Sequence, residues 1–341
     1  MLLGFTCLSV FLNIYAVFLY FYVMPKSMSD FRLCLFLLSF YDTLLALTLG
    51  PVLDVVFQPP ALAGVIRGPV TMFIYHNFGY NACKVVVCFA FYTISSILCI
   101  QDYGVMFRFA AILPNKVYYE FLNSIPGYLF IQGSTIAASG SLAALVYVVL
   151  YDEHELPTVM LNYENTTFVE YVPGETILIM GKMNTPIWYL IVVGVTLGIL
   201  YMEGNSYILF FIANRVLKKY AANFSAQTYD LHRQFLYLFI IQITMPMLLI
   251  VAPVASLIYQ RTLSGGMSKL QSDSGVLLTA AYSTVNVLLT IFFISPFRKF
   301  TRRITIDALL KLFGIKIDVT SKGVLRPVAT ESLQFNERRV Q

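Results

Sequence analysis

LFIIQITMPMLLIVAP occupies residues 238–253. Most of its side chains suit the interior of a bilayer, yet it carries Gln242, Thr244, Pro246 and Pro253. A proline inside a helix removes the hydrogen bond to the carbonyl four residues back and bends the axis. Here that carbonyl belongs to Gln242, beside its own amide side chain. In hydrocarbon no water satisfies the freed group. The run therefore predicts a membrane helix with a polar weak point, either a pivot or a static kink.

The rest of the chain repeats the apolar theme. Of 341 residues, 58% are hydrophobic and only 12% are charged, with mean hydropathy +0.73. A soluble domain carries about 25% charged residues. The charges cluster in short stretches, separated by runs near the roughly 20 residues that a bilayer requires. Seven spans follow, approximately 2–24, 32–54, 82–107, 124–150, 186–214, 234–259 and 275–297. Residues 64–81, broken by Arg67, Pro69, His76 and Asn77, read as a loop. The expectation is an all-α membrane protein: a seven-helix transmembrane domain over 1–317, then a disordered polar tail over 318–341. The first span lacks a basic n-region and a small-residue cleavage site, so it reads as an uncleaved anchor with no ectodomain ahead of it.

Orientation comes from Lys and Arg in the short loops. One side holds Lys26, Arg32, Arg108, Lys116, Arg215, Lys218, Lys219, Arg233 and the cluster Arg298, Lys299, Arg302, Arg303, Lys311 and Lys316. The other holds Arg67, Lys182, Arg261 and Lys269, with Lys84 at a span end. The richer side is expected in the cytoplasm, which puts the N-terminus outside and the C-terminus inside. The acidic loop 151–184 then lies outside, where Asn165-Thr166-Thr167 is a glycosylation acceptor. Asn223-Phe224-Ser225 falls on the inner side. Loop 151–184 contains no cysteine, so Cys83, near the outer surface, has no evident disulfide partner there.

Ionisable and amide groups inside spans are costly and are functional candidates. Asn13, Asp42, Glu203 and Asn286 each stand ten to twelve residues from the inner edge. That depth is roughly 15–18 Å, near the middle of the bilayer. Four helices thus contribute to one polar layer, read either as a switch network with a bound cation or water, or as static interhelical glue. Span three carries a polar stripe of Asn81, Lys84, Cys88, Tyr92, Ser95, Cys99 and Asp102 at steps of three and four; span seven carries Thr279, Ser283, Asn286 and Thr290. Asp54 and Lys84 share an outer depth and read as a rim ion pair or as ligand contacts. With Tyr92 and Ser283 they are the candidates for a ligand pocket. Trp188 reads as an interfacial anchor.

Residues 296–317, PFRKFTRRITIDALLKLFGIKI, mix clustered cations with apolar side chains and read as a helix on the anionic inner leaflet. No metal-spaced Cys/His set, phosphate loop or nucleophile elbow is present. The chain is therefore not read as an enzyme, and no cofactor, metal or nucleic-acid partner is expected. With no lysine in span seven, a retinal Schiff base there is excluded.

Seven spans, an outer N-terminus, a polar middle layer and a basic inner face describe a G-protein-coupled receptor. Within residues 225–253, Ser225, Thr228, Leu231, Phe235, Gln242, Pro246 and Pro253 resemble the helix-six signature of nematode serpentine chemoreceptors of the Str superfamily. Class H is most similar, with classes D and I as alternatives. Met106-Phe107-Arg108-Phe109 resembles that family's end of helix three, and Pro296-Phe297-Arg298 its end of helix seven. Tyr282-Ser283 stands where many relatives carry His-Gly, and His232 where many carry Gln. The resemblance implies a small environmental ligand entering from outside and a heterotrimeric G protein as partner. It implies Gln242 and Pro246 as the helix-six pivot, and Arg108 at the G-protein-facing end of helix three, near Lys218, Lys219, Arg233 and Arg298. It also implies the plasma membrane, specifically the ciliary membrane of chemosensory neurons. The rival readings are a seven-helix ligand-gated channel of reversed orientation, a small-molecule transporter, and a structural or chaperone-like membrane protein.

Overall fold

The structure is a computed structural model that describes residues 2–24, 31–58, 61–113, 116–161, 171–172, 174–183, 185–221, 225–256 and 269–312. The glycosylation candidates Asn165 and Asn223, the side chains of Thr228 and Leu231, and the tail from 313 lie outside the described residues. Seven helices are long and apolar enough to cross a membrane. They belong to α1 (Leu2–Tyr22), α2 (Arg32–Leu47), α4 (Tyr80–Ile112), α6 (Ile125–Val149), α8 (Pro186–Lys219), α9 (Ala226–Pro246) and α10 (Lys269–Phe293). Their outward side chains are apolar; Phe11, Leu197 and Phe211, for example, are exposed, as a lipid-facing surface requires.

Both helices that contain an interior proline change pitch there. α2 passes into a π turn, Thr48–Leu53, that contains Pro51. α9 passes at Pro246 into a π turn, Met247–Val251, before residues 252–256 resume an α-helix. Proline cannot donate the usual bond, and a wider turn re-routes the ladder around it.

Residues 64–81 are not a loop. They hold most of strand β2 (Ala63–Ile66) and the short helix α3 (Pro69–Phe78). Pro69 opens α3 where a missing N–H costs nothing. Gly68 is required just before it, because a Cβ there would overlap the Val52 carbonyl. β2 is the middle strand of an antiparallel sheet with β1 (Val55–Phe57) and β3 (Ile177–Met180). Val55 pairs with Ile66, and Ala63 with Met180. All four residues of β2 and of β3 are buried, so the sheet is packed on the bundle as a cap. The short helices α5 (Val117–Leu122) and α7 (Leu156–Leu161) complete the connections.

The seventh span ends earlier than the sequence pattern suggests. α10 stops at Phe293, and Pro296 lies in the first turn of a separate helix, α11 (Ser295–Leu312). Pro296-Phe297-Arg298 therefore begins α11 rather than closing span seven. The Arg298 guanidinium donates to the Phe292 carbonyl at 3.2 Å and satisfies an end group of α10. Phe297 is fully buried against Tyr20 of α1, which anchors α11 to the bundle.

Three layers of core fill the bundle. Near the sheet lie Val65, Ile66, Cys83 and Leu178; in the middle lie Leu45, Ile97, Ile100 and Tyr282; at the opposite end lie Tyr20, Phe31, Phe107, Phe235 and Phe297. Gly104 sits where α4 meets α9, and a Cβ there would overlap the Phe239 ring and stand 3.0 Å from the Cys34 sulfur. Gly104→Val should overpack this seam and destabilise the chain by about 1–3 kcal/mol, read as a lower Tm in detergent; an unchanged Tm would show that the seam is looser than described.

Candidate functional site: a polar core and a caged arginine

The middle of the bundle holds two groups of buried, hydrogen-bonded polar side chains. Asn286 of α10 donates to the Asp42 carboxylate of α2 at 2.5 Å. The Gln242 side chain of α9 donates to Asn286 Oδ1 at 3.0 Å and to Thr290 Oγ1 at 2.9 Å. The Gln242 backbone carbonyl, which Pro246 cannot serve, accepts from the Gln101 side chain of α4 at 3.0 Å. The same Gln101 amide nitrogen donates to the Tyr282 hydroxyl at 2.9 Å. On α1, Asn13 donates to the Ser9 carbonyl and to the Ser283 hydroxyl, at 3.0 and 3.2 Å. Asn13, Asp42, Gln101, Gln242 and Asn286 are all at most 2% exposed. Asn13 Oδ1, Asp42 Oδ1, Gln101 Oε1 and Gln242 Oε1 find no donor among the described residues. A buried polar layer short of donors has much to lose or gain from small rearrangements.

Asp42 and Asn286 are thus joined directly, whereas Asn13 bonds Ser9 and Ser283, with no hydrogen bond among the described residues carrying it on to Asp42 or Asn286. Ser283 is bonded to Asn13 and close to Ser9, in the buried interior rather than in an outer pocket. No hydrogen bond among the described residues ties Glu203 to Asp42 or Asn286, although its carboxylate is close enough to act on Tyr282. Glu203 and Ser206 lie three apart on the same face of α8, and Ser206 donates to Asp102 of α4 at 2.6 Å. The face of α8 that carries Glu203 therefore meets α4 beside Asp102. Gln101 and Ser9 are the members that depth and stripe counting missed. One signal was available for Gln101: the carbonyl freed by Pro246 needs a donor from another helix.

The end opposite the sheet is basic, and Lys218, Lys219, Arg233 and Arg298 are exposed there. Arg108 is not. It is 2% exposed, and its Nη1 donates to the Phe235 carbonyl of α9 at 2.6 Å. Its guanidinium carbon lies 3.1 Å from the centre of the Phe239 ring, 4.4 Å from Phe235 and 5.4 Å from Phe31. Nε and Nη2 have no partner among the described residues. The surface position expected for Arg108 is thus occupied by an aromatic cage, because rings from α4's neighbours close over it. Cation–π contact offsets part of the cost of removing the charge from water.

At the sheet end, Asp54 and Lys84 do not pair. Asp54 adopts a left-handed conformation (φ 39°) between the π turn and β1 and faces Arg67 at 3.6 Å. Lys84 is 3% exposed and donates to Asp152 at 2.8 Å and to the Leu150 carbonyl at 3.3 Å. Lys182 pairs with Glu155 at 2.8 Å, and Tyr80 donates to the Leu178 carbonyl of β3 at 3.1 Å. Lys84 is therefore a fastener between α4 and the segment leading to β3. Tyr92 is half-buried, stacked on Phe89 at 5.9 Å. Asp54, Lys84, Tyr92 and Ser283 occupy separate environments. All five cysteines are free thiols, and Cys83 donates to the Thr71 and Gly79 carbonyls at 3.7 Å.

A protein-family model described as serpentine type seven-transmembrane G-protein-coupled chemoreceptor Srh matches residues 1–306. No curated protein matches the chain. Among solved structures, squid rhodopsin superposes with a TM-score of 0.57 at 12% identity, covering 91% of this chain and 85% of the rhodopsin chain. At that identity the likeness is one of fold: a receptor-type seven-helix bundle.

The Lys84 fastener makes a testable pH statement. The hydrogen bond from Lys84, with its charge, holds the Asp152 carboxyl below its usual range. A depressed value contributes stability that is present above the unfolded value, about 3.9, and is lost as pH falls through the folded one. Amide exchange in residues 177–180 should stay slow at neutral pH and, corrected for intrinsic rates, rise below about pH 4. Asp152→Asn should raise it already at neutral pH. Equal protection in wild type and variant would remove Lys84 from this role.

Proposed function

The chain belongs to the serpentine chemoreceptor family Srh, and we propose that it is a G-protein-coupled chemosensory receptor for a small environmental molecule. The sheet end and N-terminus face outside, and the basic end faces the cytoplasm and a heterotrimeric G protein. The Lys and Arg bias between the two ends supports this orientation. The exposed Arg298, Lys299, Arg302 and Arg303 of α11 suit an anionic inner leaflet. By family, the site of action is the plasma membrane of a sensory cilium, and the segment beyond 317 is a cytoplasmic tail.

The observation that carries the reading is the burial of Arg108. A guanidinium with one hydrogen bond and no described counter-charge is an expensive group to enclose. Enclosure depends on α9 lying against α4, since Phe235 and Phe239 both belong to α9. When α9 moves outward below Pro246, Arg108 becomes accessible between Lys218, Lys219 and Arg233. A ligand that binds this opened state better than the closed one shifts the population toward it. The cytoplasmic end then admits a G-protein α subunit. The closed conformation keeps Arg108 from its partner in the absence of ligand.

Two measurements test this. A glycosidase mobility shift that is abolished by Asn165→Gln and retained by Asn223→Gln places loop 151–184 outside; the opposite result inverts the chain, ends the G-protein reading and favours a channel. In anionic nanodiscs with a heterotrimeric G protein, Phe239→Leu should raise ligand-free nucleotide exchange. A cation–π contact of about 0.5–2 kcal/mol corresponds to about a 2- to 30-fold rise. An unchanged basal rate in correctly inserted protein would refute the cage as the closed-state restraint.

A further inference from the structure

The seam between α4 and α9 is antiparallel and is held at three levels: Gln101 on the Gln242 carbonyl, Gly104 against Phe239, and Arg108 on the Phe235 carbonyl. The three α4 residues step by three and four along one helical face. The lowest contact is the caged cation. The highest sits at the break itself.

We infer that Gln101 is the positioning residue of the helix-six break: its amide, bonded to the Gln242 carbonyl that Pro246 leaves without its usual donor, holds α9 closed against α4. The inference rests on the proposed receptor function and goes beyond it by naming what restrains the pivot. Three observations carry it. Pro246 lacks the N–H that an ordinary residue would present to Gln242. Gln101 supplies that donor at 3.0 Å from a different helix. The same NH₂ group gives its other hydrogen to Tyr282 at 2.9 Å, so one amide joins α4, α9 and α10. A bond made within α9 would travel with α9 and restrain nothing. A bond made by α4 has to break, or change partner, when α9 swings away.

The chemistry predicts a specific coupling. Gln101→Leu removes the donor and leaves the Gln242 carbonyl short of a partner in a water-poor interior. In a Pro246→Ala background, the backbone N–H restored by the alanine bonds that carbonyl within the helix, and Gln101 has nothing left to hold. The effect of Gln101→Leu should therefore be large with Pro246 present and small once Pro246→Ala has been introduced.

The experiment measures two quantities on the full chain in nanodiscs. Spin labels at Asp230→Cys on α9 and Thr305→Cys on α11, with the exposed Cys7 changed to Ser, report the distance between the two helices. Nucleotide exchange on a heterotrimeric G protein reports signalling. With Pro246 intact, Gln101→Leu should add a longer-distance population and raise basal exchange about fivefold, the equilibrium worth of a ~1 kcal/mol hydrogen bond. With Pro246→Ala, the same substitution should change either readout by less than about twofold. Equal effects in the two backgrounds overturn the inference, as does a lower Tm with an unchanged distance distribution, which marks a merely structural bond. Gln101→Met, of similar length and without a donor, is the second variant. If both variants fold only in the Pro246→Ala background, the coupling stands; if neither folds in either background, it fails. A coupled distance change without any nucleotide exchange would retain the Gln101 role and refute the receptor reading instead.

Discussion

The constraint that shapes this chain is the lack of water in the bilayer core. Every backbone N–H and C=O there needs a partner from the protein. Two spans contain a proline well inside them, and each proline withdraws a donor. The two breaks are handled alike. The helix widens into a π turn, at Thr48–Leu53 and at Met247–Val251, and a neighbouring helix lends a side chain. Thr6 of α1 donates to the Ala46 carbonyl at 2.9 Å, just before the break at Pro51, and Gln101 of α4 donates to Gln242. The weak points of two helices are thereby tied to helices that have none. The polar layer in the middle of the bundle grows from this requirement. Gln242 offers its carbonyl to Gln101 and its amide to Asn286 and Thr290, and Asn286 continues to Asp42.

The α4–α9 seam gathers the consequences. Its middle level is close-packed, with no room for a Cβ at Gly104. Its upper level is an amide on a carbonyl, and its lower level a cation among rings. The three contacts differ in how they yield. Packing at Gly104 resists compression and opposes separation only weakly. The hydrogen bond is directional and is lost over a short displacement. The cation–π contact fades more gradually, and what it releases is a charge that gains solvent on leaving. Separation at the basic end is thus partly compensated, whereas separation at the break needs a substitute donor. An outward swing of α9 therefore gains solvent for the charge at the basic end but has to give up, or replace, the Gln101 bond at the break.

Much of the architecture was legible in the sequence because a bilayer imposes simple rules. Length and hydropathy marked out the seven spans, and depth counting set Asp42 level with Asn286, its hydrogen-bond partner. Pro246 and Gln242 announced the break. What was not legible depended on contacts between distant segments. Residues 64–81 look like a loop because Arg67 and Pro69 interrupt them, and nothing local reveals that β2 has a partner at Ile177–Met180. The polar stripe on span three passes through Asp102, one residue from Gln101, whereas the buried face of α4 mixes Gln101 with Thr93, Ile97 and Gly104. Arg108 looked exposed because a cation at a span end usually is; its cage comes from Phe31, Phe235 and Phe239, which no single window contains. Lys84 found Asp152 rather than Asp54 for the same reason.

The cap has a consequence for how the protein is made. β1 and β2 are neighbours in the chain and can pair as soon as both have left the ribosome. β3 follows only after α4 and α6 have been synthesised and inserted. Until then β2, the central strand, presents an unpaired edge beside the membrane. With every cysteine a free thiol, no oxidation step marks the moment of closure. Closure of the sheet is instead non-covalent: β3 meets β2 only where α4 and α6 bring the chain back to the same end of the bundle, so strand register and helix order are set together.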